Sequence, residues 1–120
     1  MRNDKENLIV DKSFEFALEI VRFCELLEEN KKFVVARQLL RAGTSIGANI
    51  REAQNAESKT DFIHKIKIAA KEADETEYWL LICKESENYP ENVNLLIEIK
   101  ELIKILSKII TTSKNSLSPQ

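Results

Sequence analysis

Between Phe62 and Cys83, apolar and small residues fall at Phe62, Ile66, Ala69, Ala73, Thr76, Leu80 and Cys83, in alternating steps of four and three. This spacing holds one face of an α-helix toward a partner helix, whereas a strand, with period two, cannot use it. The rhythm recurs at Val10, Phe14, Ala17, Val21 and Cys24, and at Leu39, Gly43, Ile46, Ile50 and Ala53. A fourth run carries it at Leu95, Ile99, Leu102, Leu106 and Ile109. Chains that repeat it four times pack helix against helix.

The breaks between these runs are short. "EENKK" ends the first; "AESKTD" ends the second and offers Ser58 or Thr60 as a cap; "SENYPEN" ends the third. Pro90 is expected in the first turn of the last helix. Two glycines and two prolines leave little with which to build hairpins. The pattern predicts an all-α fold: an antiparallel up-down-up-down four-helix bundle over residues 1–112, with a frayed polar tail at 113–120. Cys24 and Cys83 then lie toward one end of the bundle, read as two buried thiols in preference to a disulfide.

The N-terminal "MRNDKENLIVDKS" lacks the apolar core of a signal peptide, and no run is long enough to span a bilayer, so a cytoplasmic protein with no membrane contact is expected. The first and last helices carry a second apolar stripe each: Phe16, Ile20, Phe23 and Leu27 on one, Leu96, Ile103 and Ile110 with Ile105 on the other. That excess predicts a homo-oligomer, with Phe16, Phe23, Leu96, Ile103, Ile105 and Ile110 at the interface.

Gly43 and Gly47 sit inside the second helix, where each costs about 1 kcal/mol against alanine. They are expected to form a seam with Ala36 that admits Ala69, Ala70 and Ala73 of the third helix. The stretch "GTSIGAN" lacks the GxxxxGK[ST] pattern of a phosphate loop. Ser45, Asn49 and Glu52 read equally as a solvated flank or as a contact fixing register.

Catalysis finds no support. His64 is alone, no Glu-x-x-His pairs occur, and neither cysteine shares a face with His64. No metal or cofactor is expected. Lys100, Lys104 and Lys108 recur on the fourth helix, with Lys114 beyond them; Lys67 and Lys71 line the third, and Arg37 and Arg41 the second. Net charge is only −2 and acids interleave with these residues, so a nucleic-acid site would have to be local. Tyr78 and Trp79 are candidate stacking residues, with packing the better reading for Trp79.

"RQLLRAGTSIGANIREAQNAESKTDFIHKIKIAAKEADETEYWL", with "DKSFEFALEIV" before it, resembles the 23S rRNA intervening-sequence proteins, whose first known members are encoded inside insertions in 23S rRNA genes. The resemblance implies a left-handed bundle and homopentameric rings. Ser45, Gly47, Asn49, Glu52, Glu75, Thr76 and Trp79 match the family pattern, and with Gly43 they are expected to be structural or interface residues. Related proteins include the accessory variability determinant of diversity-generating retroelements, which binds reverse transcriptase and nucleic acid through a basic surface. This chain is acidic where those relatives are strongly basic. The expected function is non-catalytic RNA binding through repeated basic faces; the alternative is a protein-interaction scaffold without nucleic-acid contact.

Overall fold

The computed structural model describes residues 4–117, which form α1 (Asp4–Glu29), α2 (Phe33–Ala53), α3 (Lys59–Glu85) and α4 (Val93–Leu117). No strand occurs among them. Each boundary has a local cause. α1 ends in a Schellman motif: the Lys32 N–H donates to Leu27 O at 2.8 Å and the Lys31 N–H to Glu28 O at 2.9 Å. Lys31 takes the left-handed conformation there, with φ of 64°. Ser58 caps α3, its hydroxyl accepting the Asp61 N–H at 3.0 Å while the Asp61 carboxylate accepts the Glu57 N–H. Asn92 caps α4 by accepting the Leu95 N–H at 3.0 Å. Pro90 lies ahead of that helix rather than in its first turn. α4 also runs past the expected boundary at 112, through Leu117, and buries Ser113. The last three residues of the expected tail, 118–120, lie outside the described residues.

Packing follows the order α1–α2–α3–α4 and closes between α4 and α1, with no diagonal pair in register. Paired contacts give the directions: Arg41–Glu72 with Glu52–Lys65 makes α2 and α3 antiparallel, Glu77–Lys100 with Lys67–Lys114 does so for α3 and α4, and Lys12–Glu101 with Glu19–Glu98 for α1 and α4. The result is an up-down-up-down four-helix bundle measuring 54 × 22 × 21 Å. At one end, the Lys32 ammonium lies 4.6 Å from the centre of the Tyr89 ring and ties the α1–α2 turn to the α3–α4 loop.

The expected core of α2, Leu39, Gly43, Ile46, Ile50 and Ala53, is buried, as are Leu95, Ile99, Leu102, Leu106 and Ile109 of α4. On α3 all the expected residues are buried except Phe62, which is half-buried. α1 is different. Its core stripe is Ile9, Ser13, Phe16, Ile20, Phe23 and Leu27, with Cys24 alongside, while Phe14 is 52% exposed. The second stripe is therefore the one that faces the core; of the expected set only Cys24 is buried, with Val10 and Ala17 half-buried and Phe14 and Val21 exposed. Phe16, Phe23 and Leu96, expected at a subunit interface, are 2%, 4% and 7% exposed within the single chain. Ile103, Ile105 and Ile110 are half-buried against the same core. Phe16, Phe23 and Leu96 thus close the core of the single chain, while Ile103, Ile105 and Ile110 keep part of their surface at its edge.

The glycine seam is likewise with α1 and not α3. A Cβ at position 43 would lie 2.8 Å from Ile20 Cγ2, and one at position 47 would lie 3.3 Å from the Ser13 carbonyl and hydroxyl oxygens. Removing both methyl groups lets α1 settle onto α2. Ser13 is buried there and donates its hydroxyl to Val10 O at 3.2 Å, so no polar atom is stranded by the contact.

Candidate functional site

The polar residues of α2 and α3 form a girdle across the α2/α3 seam. Arg41 reaches from α2 to Glu72 at 3.2 Å and also pairs with Glu75. Glu75 in turn accepts the Trp79 indole N–H at 3.0 Å. The Arg41 guanidinium and then the Trp79 indole hold the Glu75 carboxyl below its ordinary range. Glu52 pairs with Lys65 at 3.2 Å, extending the girdle toward the other end of the bundle. The remaining members bond within their own helices. Ser45 donates to Arg41 O at 2.6 Å, Asn49 to Ser45 O at 2.9 Å, and buried Thr76 to Glu72 O at 2.7 Å. Trp79 is half-buried against the core, which leaves exposed Tyr78, in edge-to-face contact with it at 5.4 Å, as the free aromatic.

The basic residues divide into three groups. Arg41 and Lys100 are neutralised, Lys100 by Glu77 at 3.0 Å. Arg37 is exposed beside α1, on the side of the bundle opposite the α3/α4 seam. Lys67 and Lys71 stand exposed on the outer line of α3, where the antiparallel register brings Lys114 of α4 beside Lys67. Contact with the Lys114 ammonium, its charge, and the charge of Lys71 make the Lys67 ammonium easier to deprotonate. Three ammonium groups, those of Lys67, Lys71 and Lys114, thus lie close together on this surface, with exposed Lys104 and Lys108 further along α4.

Sequence reasoning did not find the acidic seam between α1 and α4. Asp11, Lys12, Glu15, Glu98 and Glu101 line a cavity of about 280 Å³ there. Burial and then the neighbouring Glu19 raise the Glu98 carboxyl above its ordinary value; Glu101 adds to the rise and Lys12 opposes it. Glu98 Oε2 is buried without a hydrogen-bond partner. Two ionised carboxylates cannot donate to each other, so ionisation of Glu98 beside Glu19 is disfavoured at this seam. A group raised on folding contributes stability that is full below its unfolded value and lost as pH rises through the folded one. Glu98→Gln should therefore raise the melting temperature at pH 7, with the gain over wild type closing as pH falls toward 4; thermal denaturation across that range checks it. Equal gains at both ends would separate the effect from Glu98 ionisation.

The core holds the two thiols, both free. Burial pushes Cys24 up to about 12, helped by Cys83 and Glu28, and Cys83 up to about 11. Neither is a nucleophile near neutral pH. Among the described residues no three His, Cys, Asp or Glu side chains converge as metal ligands, and no helix is long and apolar enough to cross a membrane.

The family model for the 23S rRNA-intervening sequence protein matches residues 5–111, nearly the whole bundle. The chain belongs to that family. A crystal structure of a protein with unknown function from the S23 ribosomal protein family of Bacteroides thetaiotaomicron VPI-5482 shares its fold, with a TM-score of 0.83 and 47% identity over 89% of this chain and 98% of that one. No curated protein matches. The 23S rRNA-intervening sequence pattern residues fall mainly on the α2/α3 girdle, with Gly47 on the α1 seam. Glu52 and Glu75 make ion pairs across the seam, Gly47, Thr76 and Trp79 pack, and Ser45 and Asn49 bond back to the α2 backbone.

Proposed function

We propose that this protein is a non-catalytic, cytoplasmic, self-associating bundle that holds structured RNA by its phosphate backbone on the α3/α4 face. The observation that carries this reading is the crowding of Lys67 by Lys114 and Lys71. Like charges packed together raise the free energy of the isolated protein, and an anionic backbone laid across them removes that repulsion and releases its own counterions. Tyr78, 58% exposed and further along the same helix, supplies a face on which an unpaired base can stack. Self-association would repeat the patch and strengthen a weak single contact by multivalency.

Fluorescence anisotropy with a structured 23S rRNA fragment, repeated at several salt concentrations, tests it. Log affinity should fall linearly with log salt, and Lys67→Ala with Lys71→Ala should shallow that slope by about one per lysine removed. Arg41→Ala and Lys100→Ala should do much less, because both side chains already have carboxylate partners. Absence of binding at low salt would discard the RNA reading. The second reading, a scaffold that contacts only proteins, is favoured by one different observation: the apolar stripe that α1 leaves outside the core.

A further inference from the structure

Lys67, Lys71, Asp74 and Tyr78 follow one another along the outer line of α3 in steps of four, three and four, and all are exposed. The line is about 16 Å long, and phosphate contacts use only its lysine end. Of the acids between Lys71 and Tyr78, Glu72 and Glu75 are paired with Arg41, and Glu77 with Lys100. Asp74 has no such partner: among the described residues it makes no ion pair or hydrogen bond, although Lys71 stands one turn away. A surface that took phosphate alone would carry a cation here, because a carboxylate turns the backbone away. Tyr78 follows one turn later, with its Cβ about 6 Å from that of Asp74. Its ring meets Trp79 edge-to-face at 5.4 Å, and the Trp79 indole is in turn fixed by Glu75 at 3.0 Å. The ring is thus both open to a ligand and held in place.

We infer that Asp74 and Tyr78 form a base-reading site and that the base it selects is an unpaired guanine. The inference rests on the RNA reading above and names the nucleotide that its surface prefers. A base stacked on Tyr78 can turn its Watson–Crick edge toward Asp74. A carboxylate only accepts hydrogen bonds, through two oxygens side by side. Guanine sets two donors side by side on that edge, N1–H and the N2 amino group, and so satisfies both oxygens at once. Adenine and cytosine each place a ring-nitrogen acceptor beside their amino group, and uracil flanks its one N–H with two carbonyls. Each of those bases turns a lone pair toward the carboxylate. Lys67, Lys71 and Lys114 take the phosphates on one side of the base. Exposed Lys104 serves the other side, since the Lys67–Lys114 and Glu77–Lys100 contacts bring it level with Asp74 across the α3/α4 seam.

Fluorescence anisotropy on the full chain, at one low salt concentration, tests the site with a labelled RNA hairpin carrying guanine at one loop position. The same hairpin with adenine, hypoxanthine or an abasic residue at that position is the comparison. Guanine should bind about tenfold more tightly than adenine, with hypoxanthine, which lacks the N2 amino group, between them. Asp74→Asn should abolish the preference and also tighten binding of the abasic hairpin, because a charge that repels phosphate is gone. Tyr78→Ala should weaken the guanine hairpin by about tenfold and leave the abasic one unchanged, while Tyr78→Phe keeps the preference. Both positions are exposed, and unchanged helical circular dichroism would confirm that each variant folds. Failure of every hairpin to bind overturns the RNA reading and this site with it. Binding that ignores the base, a guanine preference that survives Asp74→Asn, or an equal Tyr78→Ala loss on the abasic hairpin overturns the base site alone.

Discussion

Phe16→Ala should destabilise the protein by about 3–5 kcal/mol, while Phe14→Ala, two residues away, should cost less than about 1 kcal/mol. Phe16 is 2% exposed and belongs to the contiguous core, so truncation loses its transfer free energy and leaves a cavity that four packed helices cannot close. Phe14 is half in water and bounds the α1/α2 groove. Urea unfolding at a protein concentration below any self-association separates the two, read as a shift in midpoint at constant slope. Comparable losses for both residues would mean that α1 is rotated from the register described, with both stripes sharing the core.

The same pair of phenylalanines shows where the sequence stops being sufficient. Residues 10, 14, 17, 21 and 24 and residues 9, 13, 16, 20, 23 and 27 are both heptad stripes, offset by one position along a helix that is apolar on two sides. Periodicity ranks neither above the other, and Ser13 makes the true core stripe look the poorer one. What decides is on another helix. Gly47 leaves room for the Ser13 backbone and hydroxyl, and Gly43 leaves room for Ile20, so α1 can turn that face inward. α2 and α3 carry a single dominant apolar face, and on α4 the second stripe packs beside the first on the same core, so on these helices the buried set follows from spacing with few changes.

The candidate RNA site was half legible for a related reason. Listing exposed lysines requires only helix phase, but knowing which of them are neutralised requires the register between antiparallel neighbours. Lys100 meets Glu77 and Arg41 meets Glu72 and Glu75 across seams that no local pattern encodes. Lys67 and Lys114 stand 47 positions apart in the chain and share one patch only because α3 and α4 fold back at the Ser86–Asn92 loop. The acidic α1/α4 seam is farther still, joining residues near opposite ends of the chain, and it was not anticipated.

Gly43→Leu should be among the most damaging substitutions this chain can suffer, at about 3 kcal/mol or more, although leucine is the better helix former by most of 1 kcal/mol. The Cβ alone would stand 2.8 Å from Cγ2 and 2.9 Å from Cγ1 of Ile20, atoms next to the branch point of a fully buried side chain that has nowhere to turn. Either α1 lifts away from α2 or Ile20 leaves its rotamer, and both disturb the core around it. Gly47→Ala makes the opposite case. Its new methyl would meet Ser13 oxygens at 3.3 Å, a contact relieved by a few tenths of an ångström of movement, and the helix-propensity gain offsets it to within about 0.5 kcal/mol. Ile20→Ala alone should cost about 2–5 kcal/mol, yet in the Gly43→Leu background the added side chain fills the space the isoleucine leaves. The double variant should therefore be more stable than the sum of the two losses by about 1–3 kcal/mol, the coupling expected of residues in direct contact. A Gly43→Leu protein as stable as wild type, or losses that simply add, would mean that α1 does not lie on this glycine. Relief from trimming Ala69 or Ala73 of α3 instead would return the seam to the partner that spacing alone had favoured.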